Sequence, residues 1–198
     1  CIRDRHYHNY RDSDIQQYVP AMEELTRRGY YVFRMGAAVK ENLRTTNPMI
    51  IDYAANGNRT DFLDVYLGAN CRFCVGDTAG IYAIPAVFRK PLAFVNYVPL
   101  GIVHSWNPFD LTILKNLWLK EEERYMTFPQ ILGSPIGRSL KSDEYERLGV
   151  ELLDSTAEEI TALAVEMALR VRKPETQPAT PPWTKADCGE RSSPKSPG

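Results

Sequence analysis

Residues 71–95 constrain what this chain can fold into more than any other stretch. Cys71-Arg72-Phe73-Cys74-Val75 reads as a buried strand, Gly76-Asp77-Thr78-Ala79-Gly80 as a tight polar loop, and Ile81 to Phe88 as a helix. Arg89-Lys90-Pro91 then leads into a second apolar strand, Leu92 to Val95. A glycine-bracketed turn between a buried strand and a helix aims bare N–H groups at one point, and the helix dipole adds positive potential there. That arrangement suits an anion, most often a phosphate.

The flanking segments repeat the alternation. Ser13 or Asp14 caps a predicted helix in which Ile15, Tyr18, Val19, Met22 and Leu25 recur at helical spacing; Gly29 stops it and Pro20 kinks or breaks it. Tyr30 to Met35 reads as a strand closed by Gly36, and Met49 to Tyr53 as a short strand or turn. Thr60 or Asp61 caps a helix carrying Phe62, Val65, Tyr66 and Leu67. Strands alternating with helices argue for a parallel sheet with right-handed crossovers, covered by helices on both faces. Leu111 to Trp118 reads equally as strand or helix. Ser155-Thr156-Ala157-Glu158 is a capping box, followed by the apolar face Ile160, Leu163, Ala164, Met167 and Val171 of a last helix.

Past Arg172 the composition changes. Residues 173–198 carry six prolines among polar residues and are expected to be a disordered tail, which leaves residues 1–172 as one domain. The formal net charge of −1 gives no global electrostatic argument for nucleic acid or an anionic membrane, and no apolar stretch is long enough to span a bilayer. Cys1-Ile2-Arg3 looks like the end of a strand already under way, so upstream sequence is expected. Cys71 and Cys74 form a C-x-x-C, but inside a strand positions three apart face opposite ways, and there is no second pair for zinc. The cysteine usage fits a reducing compartment.

Several motifs, in order and at matching spacing, resemble a bacterial family of glycosyltransferases over about residues 1–172. They are Arg3-Asp4, the run Asn9 to Ile15, the run Gly29 to Gly36, the run Asp61 to Leu67, Asn96-Tyr97-Val98-Pro99-Leu100-Gly101, and Ser155 to Ile160. The resemblance implies a Rossmann-like, nucleotide-sugar-binding domain, the C-terminal, donor-binding half of a GT-B enzyme. It implies a nucleotide sugar as donor substrate and a glycan acceptor, no cofactor and no metal. It also implies a missing N-terminal domain of the same protein, and a cytoplasmic location, at most at the inner face of the membrane. The family loop commonly reads G-T-D-S-G; here it is Gly76-Asp77-Thr78-Ala79-Gly80, with the carboxylate one place earlier and a methyl in place of a hydroxyl. Two other readings stay open: a nucleotide-sugar epimerase on the same frame, and an inactive Rossmann-like interaction module.

The candidate site follows from both lines of argument. Gly76 and Gly80 would allow close approach of a diphosphate, or serve only turn geometry. Thr78 would donate its hydroxyl to phosphate or cap the next helix, and Asp77 would cap, hold a cation or accept from a sugar hydroxyl. Ala79 and Ile81 complete the set of loop amides. Arg34, at a strand's carboxyl end, would pair with phosphate or form an ordinary salt bridge, and Arg3 has the same placement. Arg11 is a weaker candidate. Asn96, with Tyr97, would contact base or sugar, or merely turn the chain. His6 and His8 share a face of an extended segment and read best as exposed polar residues.

Overall fold

The computed structural model describes residues 10–37, 39–103 and 107–172. Arg3, His6, His8 and the proline-rich tail lie outside these residues. So does the strand end expected at Cys1-Ile2-Arg3.

Asp14 accepts from the Gln16 amide at 2.8 Å and starts a 3₁₀ turn, Ile15–Tyr18, that runs into helix α1 (Val19–Arg27). Pro20 therefore opens α1 rather than breaking it, because a first-turn N–H needs no partner. Gly29 ends the helix with φ of 87°, a left-handed conformation that costs glycine nothing. Strand β1 is only Val32–Phe33 and pairs in parallel with β2, Ile50–Ile51. Thr60 caps α2 (Asp61–Asn70), its hydroxyl accepting from the Leu63 amide at 3.1 Å.

Strands β3 (Cys74–Gly76), β4 (Leu92–Tyr97) and β5 (Leu111–Leu114) form a second parallel sheet in that order. Every residue of β4 is buried, as expected for a central strand covered on both faces. Between β3 and β4 the expected helix is shorter than its sequence reading: a 3₁₀ turn, Gly80–Tyr82, then α3 (Ala83–Val87). The ambiguous run after residue 110 resolves into two strands. β5 joins the parallel sheet, and β6 (Asn116–Leu119) joins a third, antiparallel sheet with β7 (Arg124–Tyr125) and β8 (Val150–Leu153) in the order β7-β6-β8. Helices α4 (Phe128–Gly133) and α5 (Ser142–Arg147) connect β7 to β8. The chain is thus mixed α/β, with its described strands in three small sheets, not in one continuous parallel sheet.

The last helix, α6 (Ala157–Arg172), buries Ile160, Ala164 and Met167 completely, against α1 on one side and β4 and β5 on the other. Large side chains buried this way stabilise by about 1.5–3 kcal/mol each. The capping box belongs to Thr156 and Glu159, one residue later than the sequence reading: the Thr156 amide donates to Glu159 Oε2 at 2.8 Å and the Glu159 amide to Thr156 Oγ1 at 3.2 Å. Ser155 is engaged elsewhere. A second core, around Val98, Leu117, Ile136 and Tyr145, lies beneath the antiparallel sheet.

Candidate functional site

The carboxyl ends of β3, β4 and β5 converge on the segment Tyr10 to Ser13, which crosses them. Arg11 Nη1 donates to the Thr78 carbonyl at 3.4 Å, Asn96 Nδ2 to Ser13 Oγ at 3.0 Å, and Lys115 Nζ to the Asp12 carbonyl at 2.7 Å. Ligands of open parallel sheets gather at this end, because loops leave the strands there and backbone groups become free.

Asn96 stands at the end of β4 with φ of 55°, where asparagine is tolerated better than other non-glycine residues. The pairing register between β4 and β5 shifts beside it. This turns the buried Asn96 amide sideways. It donates to Ser13, and its Oδ1 accepts from the Ser155 amide at 2.6 Å. Asn96 thus ties three chain segments together.

Lys115 occupies the single residue between β5 and β6. Its side chain is 4% exposed, and Nζ lies 2.8 Å from Asp154 Oδ1 just after β8. Sequence reasoning missed both residues. The one available signal was a lone lysine inside an otherwise apolar run.

The loop after β3 carries the remaining candidates. Asp77 Oδ1 accepts from the Ala79 amide at 2.7 Å, a local turn that shapes the loop. Burial pushes the Asp77 carboxyl above its ordinary value; the Ala79 amide, Lys115 and Arg11 oppose this, and the Asp12 charge adds to it. Tyr18 faces the same cluster. Burial raises its phenol, the charges of Asp77 and Asp154 add to the effect, and Ser13 and Asn96 oppose it by hydrogen bonding. Thr78 Oγ1 is buried with no hydrogen-bond partner.

Gly80 and Ile81 lead the 3₁₀ turn, where the first N–H groups have no acceptor within the turn. Gly76 and Gly80 both have ordinary, non-positive φ. A Cβ built on either would meet nothing within 4 Å. Turn geometry therefore does not require glycine at these two positions, and open space lies over both.

Arg34 is placed at the carboxyl end of β1, buried, with Nη1 donating to the Glu41 carbonyl at 2.6 Å and lying 3.2 Å from Asp52 Oδ2. Asp52 also accepts from the Leu43 amide at 2.9 Å, so the pair fixes the loop that follows β1. The structure brings together Arg11, Asp77, Thr78, Asn96 and Lys115, whereas Arg34 is bound into this separate ion pair. Cys74 is half-buried in β3 and desolvation pushes its thiol up to about 12; Cys71 Sγ lies 3.2 Å from the Gly68 carbonyl. Among the described residues no cluster of His, Cys, Asp and Glu is placed to hold a metal, and no helix is long and apolar enough to cross a membrane.

No protein-family model, no curated protein and no solved structure matches the chain.

Proposed function

We propose that the crevice at the carboxyl ends of β3 to β5 binds the diphosphate of a nucleotide sugar, and that the chain is the Rossmann-like donor-binding half of a GT-B-type glycosyltransferase. The observation that carries this reading is the open space over Gly76 and Gly80, at positions where backbone conformation does not demand glycine. Glycine is kept where a ligand comes close to the backbone. The leading amides of the Gly80–Tyr82 turn supply donors beside that space.

In glycosyl transfer the bond between the sugar's anomeric carbon and the diphosphate oxygen breaks. Negative charge grows on the leaving oxygen while the sugar becomes cationic. Loop amides aimed at that oxygen stabilise the transition state more than the ground state, and one preorganised donor contributes about 3 kcal/mol. Lys115 and Arg11 add positive potential, as their action on Asp77 indicates. Burial raises the Asp77 carboxyl, so its protonated form, which does not repel a diphosphate, persists to a higher pH than for an exposed aspartate. Arg34 acts at a distance by anchoring the loop after β1. The acceptor, its general base and the second half of the cleft belong to the other domain of such an enzyme.

Titration calorimetry with UDP, GDP, ADP and dTDP tests this. One of them binds the wild-type chain, and Gly80→Val weakens that binding at least tenfold with an unchanged melting temperature. Absence of binding by all four overturns the reading.

A further inference from the structure

Residues 31–35 and 71–75 both line a cavity of about 410 Å³, and each stretch brings a strand edge to it. Strand β1 spends alternate backbone groups on β2: the Val32 amide donates to Met49 and the Arg34 amide to Ile51, both at 2.9 Å. By strand alternation the N–H and C=O of Phe33 point the other way. Strand β3 does the same, the Cys74 amide donating to Pro91 at 3.0 Å, so the N–H and C=O of Val75 turn away from β4. Among the described residues no strand pairs with either of these edges. Backbone groups withdrawn from bulk water are nearly always partnered, so both edges call for donors and acceptors from whatever enters the cavity.

The helices supply apolar walls. Ala21, Met22 and Leu25 line the cavity from α1, and Leu67, Ile84 and Pro85 line it from α2 and α3. Apolar walls with hydrogen-bonding edges fit a flat heteroaromatic ring, whose faces are apolar and whose rim carries donors and acceptors. A hydrocarbon chain would leave the Phe33 and Val75 backbone groups without partners. The volume lies in the range of about 300–1,000 Å³ that small-molecule sites occupy.

The cavity reaches the anion loop. Val75, just before Gly76, and Ile81, just after Gly80, both line it, as does Tyr18, whose phenol faces the Asp77 cluster. A ring held in the cavity therefore has its attached sugar and phosphates directed toward the loop amides. We infer that the cavity between β1 and β3 takes the base of the nucleotide, and that its two strand edges select a purine. With its glycosidic bond toward the loop, a purine carries N7 with N6 or O6 on one side and N1 and N3 on the other, so each strand edge meets a hydrogen-bonding atom. A pyrimidine carries only the carbons C5 and C6 on one side and leaves one edge without a partner. A site built to hydrogen-bond a group rejects the analogue that lacks it. The inference rests on the proposed anion site for the position of the phosphates, whereas the choice of base rests on the cavity alone.

Calorimetry on the 198-residue chain with ADP, GDP, UDP, dTDP, inorganic pyrophosphate, adenosine and guanosine separates the two readings. ADP or GDP is expected to bind at least tenfold tighter than both pyrimidine diphosphates, and to slow amide hydrogen exchange at Phe33 and Val75 at least tenfold. Phe33→Pro removes a cavity-facing N–H that β2 does not use and is expected to abolish the purine preference, whereas Phe33→Ala keeps that N–H and the preference; thermal melting checks that both variants fold. Binding of adenosine or guanosine with protection of the two amides, but no binding of pyrophosphate or of any diphosphate, supports the base site while removing the anion site. Equal binding of purine and pyrimidine diphosphates overturns the inference and leaves the anion site standing. Unchanged exchange at Phe33 and Val75 under saturating purine ligand overturns it too, by leaving the cavity to water. So does absence of binding by every purine compound.

Discussion

Lys115 Nζ lies 2.8 Å from Asp154 Oδ1, and this one ion pair joins the end of the parallel sheet to the end of the antiparallel one. Lys115 follows β5 and precedes β6; Asp154 follows β8. The lysine also donates to the Asp12 carbonyl, so the segment that crosses the strand ends is held by the same ammonium. The floor of the proposed anion site is therefore built by a charge the chain places between two sheets.

Lys115→Met tests that role. Breaking a fully buried pair costs about 3–5 kcal/mol; because Asp154 keeps about a third of its side-chain surface, a loss of about 2 kcal/mol is expected. Urea denaturation measures it, and a loss under 0.5 kcal/mol would show that the pair is not structural. The same variant is expected to weaken nucleoside diphosphate binding.

Asp77 gives a pH signature. Its carboxyl is raised in the folded state by burial, so between the unfolded value and the higher folded value the native chain holds a proton that the unfolded chain has lost. Stability attributable to this group falls as pH rises through that window, and the cost persists above it. Asp77→Asn removes the ionisation while keeping an oxygen for the Ala79 amide. The variant is expected to melt higher than wild type at pH 7, with the difference closing toward pH 3.5. A difference independent of pH would contradict the burial argument. Diphosphate binding by the wild type is expected to weaken with rising pH over the same window, and Asp77→Asn to flatten that dependence.

Asn96 combines an unusual backbone with two hydrogen bonds. Asn96→Ala leaves the Ser155 amide buried without its acceptor, costs about 2–4 kcal/mol, and keeps a Cβ in the left-handed region. Asn96→Gly loses the same bonds but is relieved of the backbone penalty, so it should be more stable than the alanine variant by about 1 kcal/mol. Chemical denaturation of both variants checks the order; equal stabilities would mean that φ is not under strain at this position.

The pairing of Arg34 with Asp52 makes a double-variant prediction. Arg34→Ala strands a partly buried carboxylate and lowers stability by about 3 kcal/mol. Adding Asp52→Asn removes the stranded charge while preserving an acceptor for the Leu43 amide, so the double variant should recover at least about 1 kcal/mol. Additive losses would argue against coupling. Loss of diphosphate binding in a stably folded double variant would move Arg34 into the binding site itself.

Local signals placed most elements. The Thr60 cap, the strand before Gly76 and the buried face of α6 are written in residue spacing, because hydrogen bonds within a helix turn and side-chain alternation act over a few residues. The Asp77 turn was legible for the same reason: an aspartate side chain two residues before the amide it accepts from is a local signal.

Tertiary structure decided what periodicity cannot carry. The apolar run from Leu111 to Leu119 became two strands in different sheets only because Lys115 found Asp154 and the Asp12 carbonyl, partners 39 and 103 positions away. The start of α6 moved by one residue because Ser155 gave its amide to Asn96, 59 positions earlier. Arg34 met Asp52 across a parallel strand pair that neither segment encodes alone. Sequence determines the local conformations a segment favours. Which polar groups are left to pair when those segments pack is settled by burial, since a charge or amide removed from water must find a partner wherever the chain brings one.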